Sequence, residues 1–183
     1  MVLLESIKIE MGEPAKNFSL KGVDDKIYSL ESFKDARVLV VVFMCNHCPY
    51  VQAVWSRLVE LQEKFKNQSV QFVGINANAA NPDYEEDSFE NMKKYYQRYK
   101  MNFPYLIDEM QNVAREYKAQ CTPDIFVYDN ERRLVYHGRI DDNWKDLSKV
   151  TKQELATEIE ALLSGGKSSE VQYPTMGCSI KWK

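Results

Sequence analysis

Apolar residues along the chain fall into blocks of two different periods. The run Arg37-Val-Leu-Val-Val-Val-Phe-Met44 is apolar at nearly every position, the pattern of a central strand covered on both faces. From Tyr50 to Phe65 the period lengthens. Val51, Val54, Trp55, Leu58, Val59, Leu61 and Phe65 recur every three or four residues, which predicts an amphipathic helix of about four turns. Val70-Gln-Phe-Val-Gly-Ile75 then repeats the buried-strand pattern. Together these segments form a βαβ unit with a right-handed crossover, so its two strands lie parallel.

Weaker patterns surround this unit. Phe18-Ser-Leu20 and Ile27-Tyr-Ser-Leu30 flank a turn at 21–26, predicting a β-hairpin at the edge of the sheet. Asn76 to Asp87 is rich in Asn, Pro and acidic residues and reads as a surface loop at a strand's C-terminal end, where active sites are often bordered. Ser88 caps a predicted helix through about Lys100. A short strand at 103–107, a helix at 110–118, a hairpin of Asp124–Tyr128 with Leu134–Gly138, and a last helix at 151–163 complete the pattern. The segment 164–183 is apolar enough to dock but carries no helical period. One α/β domain over 1–183 is expected, a central mixed sheet flanked by helices, with 1–35 as an N-terminal extension containing the hairpin and 164–183 as a C-terminal tail.

Composition narrows the function. With 44% hydrophobic and 28% charged residues, the chain is ordinary for a globular protein. A net charge of -3 and a pI near 5.5 offer no attraction to phosphate backbones or anionic lipid, so neither nucleic acid nor membrane is an expected partner. The N-terminal residues lack a basic stretch before an apolar one, and the run from Val38 to Cys45 is far shorter than the roughly 18 residues of a membrane span. A cytoplasmic protein is expected. Asn17-Phe-Ser19 and Asn67-Gln-Ser69 match the glycosylation pattern, but without secretion they are chance matches. Four cysteines are too few for a disulfide scaffold, and in a reducing compartment paired cysteines are more often catalytic or metal-binding.

Their spacing is the main clue. Cys45-Asn-His-Cys48 lies between the predicted strand and helix, where a Cys-x-x-Cys holds its sulfurs about one turn apart and near enough to bond. Unsatisfied N–H groups at a helix N-terminus favour a thiolate on Cys45. Cys45 is therefore the expected nucleophile toward a substrate disulfide, and Cys48, more shielded, the expected resolving thiol. A protonated His47 between them would favour the thiolate further; an exposed loop histidine without electronic role is the alternative. The dithiol carries two electrons itself, so no organic cofactor is expected beyond the Cys45–Cys48 disulfide.

The chain resembles the thioredoxin superfamily, and within it the redoxin/peroxiredoxin-like (AhpC/TSA-type) branch with a Cys-Asn-His-Cys-Pro-Tyr-Val signature. The resemblance runs through Gly12-Glu-Pro-Ala-Lys-Asn-Phe18, Cys45 to Val51, Phe103-Pro-Tyr-Leu-Ile-Asp-Glu109, Cys121-Thr-Pro-Asp124 and Gly177-Cys-Ser-Ile-Lys-Trp182. It implies a thioredoxin-like fold in which Pro123 is cis and faces the cysteine pair, with Thr122 offering its backbone to a bound peptide. It also implies a protein or small-molecule disulfide, or a peroxide, as substrate, and thioredoxin or glutathione as reductant. The peroxidase branch places proline and threonine where this chain has Val41 and Cys45, if Cys48 is the peroxide-reactive position. The hydroxyl that would orient a peroxide is then absent. Arg115 or Arg139 is the candidate cation for polarising an O–O bond.

Further residues carry competing readings. Cys121 reads as a small buried core residue, with a third redox thiol or a metal ligand as the alternative. Cys178 is either a resolving or storage thiol, or a passive residue of a tail anchored by Ile180 and Trp182. Cys45, Cys48 and His137 would suit copper as in thioredoxin-fold copper chaperones, but those use a wider cysteine spacing. A structural zinc site lacks a fourth ligand, so no metal is expected. Asp141-Asp142 and Asp83 to Asp87 read as solvated loop charges, and Tyr95, Tyr96 and Tyr99 as a packed or half-exposed helix face, with stacking on a ligand as the alternative.

Overall fold

The computed structural model describes residues 3–79 and 81–183. In chain order the strands and α-helices are β1 (Leu3–Glu5), β2 (Ser19–Gly22), β3 (Ile27–Ser29), β4 (Val38–Phe43), α1 (Pro49–Phe65), β5 (Val70–Asn76), α2 (Phe89–Arg98), β6 (Tyr105–Ile107), α3 (Asn112–Glu116), β7 (Cys121–Thr122), β8 (Asp124–Tyr128), β9 (Leu134–His137), α4 (Glu154–Leu163) and β10 (Met176–Ser179). The main sheet has the order β3-β2-β6-β5-β4-β8-β9. It is mixed: β4 runs parallel to β5, and β5 to β6, while β8 lies antiparallel to β4.

The two-sided apolarity of β4 follows from its place at the centre. Val38, Val40 and Val42 face a core shared with Trp55 and Leu58 of α1, Met92 of α2 and Ile159 of α4. Leu39, Val41 and Phe43 face the other core, with Phe18, Phe33 and Val113 and Ala114 of α3. The predicted hairpin is β2 and β3, joined to the main sheet through β6. At the C-terminal end of α2, Tyr99 stacks on Trp55 with ring centroids 4.5 Å apart and Tyr95 lies beside both, in line with the packed or half-exposed face that the spacing predicts.

Two predicted helices shorten for local reasons, and one predicted cap lacks its bond. The last helix starts at Glu154 instead of Thr151, because the Thr151 amide and hydroxyl both donate to Asp142 in the preceding loop. The predicted helix at 110–118 contracts to α3, bounded by the left-handed residues Gln111 (φ 60°) and Lys118 (φ 57°). Ser88 precedes α2, but its side chain makes no capping hydrogen bond.

The tail docks, and not as a helix: it contributes β10, the middle strand of a second sheet between β1 and β7. Beyond β10 the chain is held by Ile180 N donating to Gln120 O (3.0 Å), Lys181 N to Asn78 Oδ1 (2.8 Å) and Lys183 N to Gln111 Oε1 (2.9 Å). Gly177 lets β10 approach β7, since a Cβ there would lie 2.0 Å from the Thr122 carbonyl oxygen. Gly177→Ala is therefore expected to destabilise the fold by roughly 1–3 kcal/mol through overpacking, lowering Tm by about 2–12 °C. A thermal melt checks this; an unchanged Tm would mean that β10 is not seated this closely.

Candidate active site

Between β4 and α1 the chain turns through residues 44–48, and Cys48 is the residue that caps the helix, with Pro49 at its first position. This loop is pinned by groups far away in sequence. Asp87, fully buried, accepts from the amides of Asn46 (2.5 Å) and His47 (3.2 Å), and its second oxygen bonds His47 Nδ1. Asn46 is held on three more sides. Its side chain donates to Glu86 O (2.8 Å) and accepts from the Tyr105 hydroxyl (3.0 Å), while its carbonyl accepts from Gln52 Nε2 (2.7 Å).

Two sequence readings are corrected here. The acidic run at 83–87 is not uniformly solvated: Asp83, Glu85 and Glu86 are exposed, whereas Asp87 is the buried clamp of the cysteine loop. Asp141 is buried too, receiving Arg57 Nη1 at 2.6 Å, and Arg57 also donates to the carbonyls of Asn143 and Trp144. His47 is no exposed loop residue, since its ring is mostly covered and packs 4.8 Å from the Tyr84 ring. Asp87 has no local signal in the sequence beyond the general expectation that the loop after β5 borders a site, and Tyr105 is marked only by its place in the Phe103–Glu109 segment of the resemblance.

Four groups meet at the sulfurs. The Thr122–Pro123 peptide is cis, as the resemblance implies, and presents Thr122 to both cysteines. Cys45 Sγ lies 3.2 Å from Thr122 Oγ1, and Cys48 Sγ donates to Thr122 O at 3.1 Å. Cys178, opposite Thr122 in the β10–β7 register, brings its sulfur to 2.8 Å from that of Cys48. Cys45, Cys48, Cys121 and Cys178 are all buried.

The charge distribution differs from the sequence expectation. Burial pushes the Cys45 thiol well above its ordinary range, and its hydrogen bond to Cys48 and the negative Asp87 add to this. Cys48 is pulled far down, chiefly by the Cys178 thiol, then by that of Cys45, with the Val51 and Cys178 amides assisting. Cys178 is raised, first by the same hydrogen bond to Cys48 and then by burial. Burial and hydrogen bonding thus act in opposite directions on the two members of the pair, with Cys178 the main influence on Cys48.

The remaining candidates are placed as follows. Cys121 is directed at the carbonyls of Pro123 (3.6 Å) and Thr175 (4.0 Å), and burial raises its thiol. His137 bonds Asp124 Oδ1 at 2.6 Å and stacks on Phe126, so the set Cys45, Cys48 and His137 is not assembled. Among the described residues, the trio with metal-ligating atoms close together is Cys45, His47 and Asp87, within 4.8 Å of one another. Arg115 lies over the Trp182 ring, and Arg139 pairs with Glu154 and lies over Tyr173. Beside Pro123 runs a groove of about 450 Å³, lined by Tyr50, Arg139, Trp144, Tyr173 and Met176.

The family model described as "AhpC/TSA family" matches residues 11–137. The chain belongs to the AhpC/TSA family. Among curated proteins it is similar to a chloroplastic peroxiredoxin Q of Oryza sativa subsp. japonica, 27% identical over 110 residues, covering 60% of this chain and 46% of that protein. The chain thus spans about half the length of that relative. It is also similar to the thiol-disulfide oxidoreductase ResA of Bacillus thuringiensis subsp. konkukian, 21% identical over 146 residues, 80% of this chain and 79% of ResA. A crystal structure of an uncharacterized conserved protein from Geobacillus kaustophilus superposes with a TM-score of 0.94 at 41% identity, over 100% of this chain and 97% of that one.

Each charge assignment is separable by mutation. Cys178→Ala is expected to raise the Cys48 pKa by removing its main stabilising hydrogen bond, and Asp87→Asn to lower that of Cys45. Thiolate absorbance near 240 nm, titrated against pH, reads both; opposite or null shifts would reject this distribution.

Proposed function

We propose that this protein is a thiol-disulfide oxidoreductase whose redox centre is the Cys45–Cys48 pair. The observation that carries the reading is that both sulfurs contact Thr122 of a cis Thr122–Pro123 peptide, next to an open groove. That groove is lined by aromatic rings and a cation, surfaces suited to a peptide or a thiol such as glutathione.

The reaction follows from where the proton and charge rest. The pair shares one proton, and with that proton on Cys48 the Cys45 thiolate attacks the substrate disulfide. The substrate S–S bond breaks, a mixed disulfide forms on Cys45, and the departing sulfur takes the proton from Cys48. Cys48 then attacks Cys45, closing the intramolecular disulfide and releasing the second substrate thiolate. Two electrons pass to the substrate, and one proton and one negative charge are conserved. Neither sulfur is exposed, so a substrate reaches Cys45 only when the elements around it yield locally. A cytoplasmic thiol donor, thioredoxin or glutathione, would reopen the disulfide.

A peroxidase reading is favoured by the similarity to peroxiredoxin Q and by the position of Cys48 at a helix cap. Against it stand Cys45 where a hydroxyl would be needed, and the engagement of Arg115 and Arg139 elsewhere. Reduction of insulin and of glutathione disulfide tests the choice. Cys45→Ser and Cys48→Ser are each expected to bring turnover to background, and the double variant to be no worse, as for residues acting as one unit. Peroxide consumption lost in Cys48→Ser but retained in Cys45→Ser would replace this mechanism with a peroxidase.

A further inference from the structure

We propose that Cys178 is a third redox thiol of this centre, exchanging with the Cys45–Cys48 disulfide to form a Cys48–Cys178 disulfide. The inference rests on the Cys45–Cys48 couple proposed above and adds to it a thiol that the couple alone does not require.

Geometry carries it. Cys48 Sγ is 2.8 Å from Cys178 Sγ and is at the same time within reach of Cys45, so Cys48 is the middle sulfur of three. Cys178 is not placed there by a loose tail. It is paired on one side with Leu3 of β1 and on the other with Thr122 of β7, the residue that also contacts both cysteines of the pair. Gly177 removes the Cβ that would hold β10 away from Thr122, and the hydrogen bonds of Ile180, Lys181 and Lys183 fix the chain on the far side. A strand needed only to cover the core would place any small apolar residue at 178. Here it places a second nucleophile against the central sulfur.

The exchange needs no added oxidant. Starting from the Cys45–Cys48 disulfide made by substrate reduction, the Cys178 sulfur attacks Cys48 Sγ. The Cys48–Cys178 bond forms, the Cys45–Cys48 bond breaks, and the electron pair leaves on Cys45, which takes the proton given up by Cys178. One disulfide is consumed and one is made. Cys45 returns to its thiol form, and the oxidised state is stored as a covalent link between the start of α1 and β10.

Disulfide mapping tests this. The wild-type chain is treated with one equivalent of diamide, quenched in acid, alkylated, and digested without reduction for mass spectrometry. Peptides linked through Cys45–Cys48 and through Cys48–Cys178 are both expected, the second making up at least about a tenth of the oxidised protein, a gap of no more than about 1.4 kcal/mol between the two forms. Cys45→Ser is expected to close Cys48–Cys178 as its intramolecular product. Absence of that link from both proteins overturns the proposal, and the wild-type arm does not depend on any variant folding. Cys178→Ser reads the couple separately: a Cys45–Cys48 disulfide there upholds the couple whatever the fate of the exchange, and its absence overturns the couple and the exchange together.

Discussion

The Asp87 carboxylate holds the redox loop in place from inside the protein. It has no contact with water, and a buried carboxylate without partners costs several kcal/mol. Two successive amides of the cysteine loop and the His47 ring supply those partners. The loop in turn gains a fixed shape, because the amides of Asn46 and His47 must both point inward toward one group. Cys45 and Cys48 are carried at the two ends of that fixed turn. Removing the carboxylate would leave buried N–H groups unpaired and free the loop that sets the distance between the sulfurs.

Burial and hydrogen bonding act in opposite directions on the two cysteines. Cys45 is enclosed and lies near Asp87, so its ionisation is opposed by both desolvation and a like charge. Cys48 is also enclosed, but two thiols and helix-end amides are directed at it, and these outweigh its desolvation. The pair is thus a set of two interacting thiols enclosed away from solvent.

The closing strand makes the same site a tertiary object. Through β10, residues near the C-terminus complete a small sheet with the N-terminal β1 and with β7, whose second residue is Thr122. The redox centre is therefore built from the β4–α1 junction, the loop after β5, the cis-proline turn and the tail. A site assembled this way is stable only while all four are docked, and substrate entry has to use whichever of them opens at least cost.

Short-range pattern was enough for part of this. The period of β4, the helix that follows it and the Cys-x-x-Cys between them are local features, and a spacing of three residues places Cys48 near Cys45 whatever surrounds them. The mixed sheet and the cis proline were legible as soon as the motif was joined to its family resemblance. Asp87 was not, because its burial depends on a loop folding back over a site 40 residues away, and an acidic run in a sequence looks the same whether water or protein covers it. Nor was the contact of Cys48 with Cys178, 130 residues away along the chain. Sequence by itself determined which two cysteines stand at the strand–helix junction; tertiary structure decided which groups meet them, Thr122, Asp87 and the third sulfur of Cys178, because electrostatics and hydrogen bonding depend on distance in space and not along the chain.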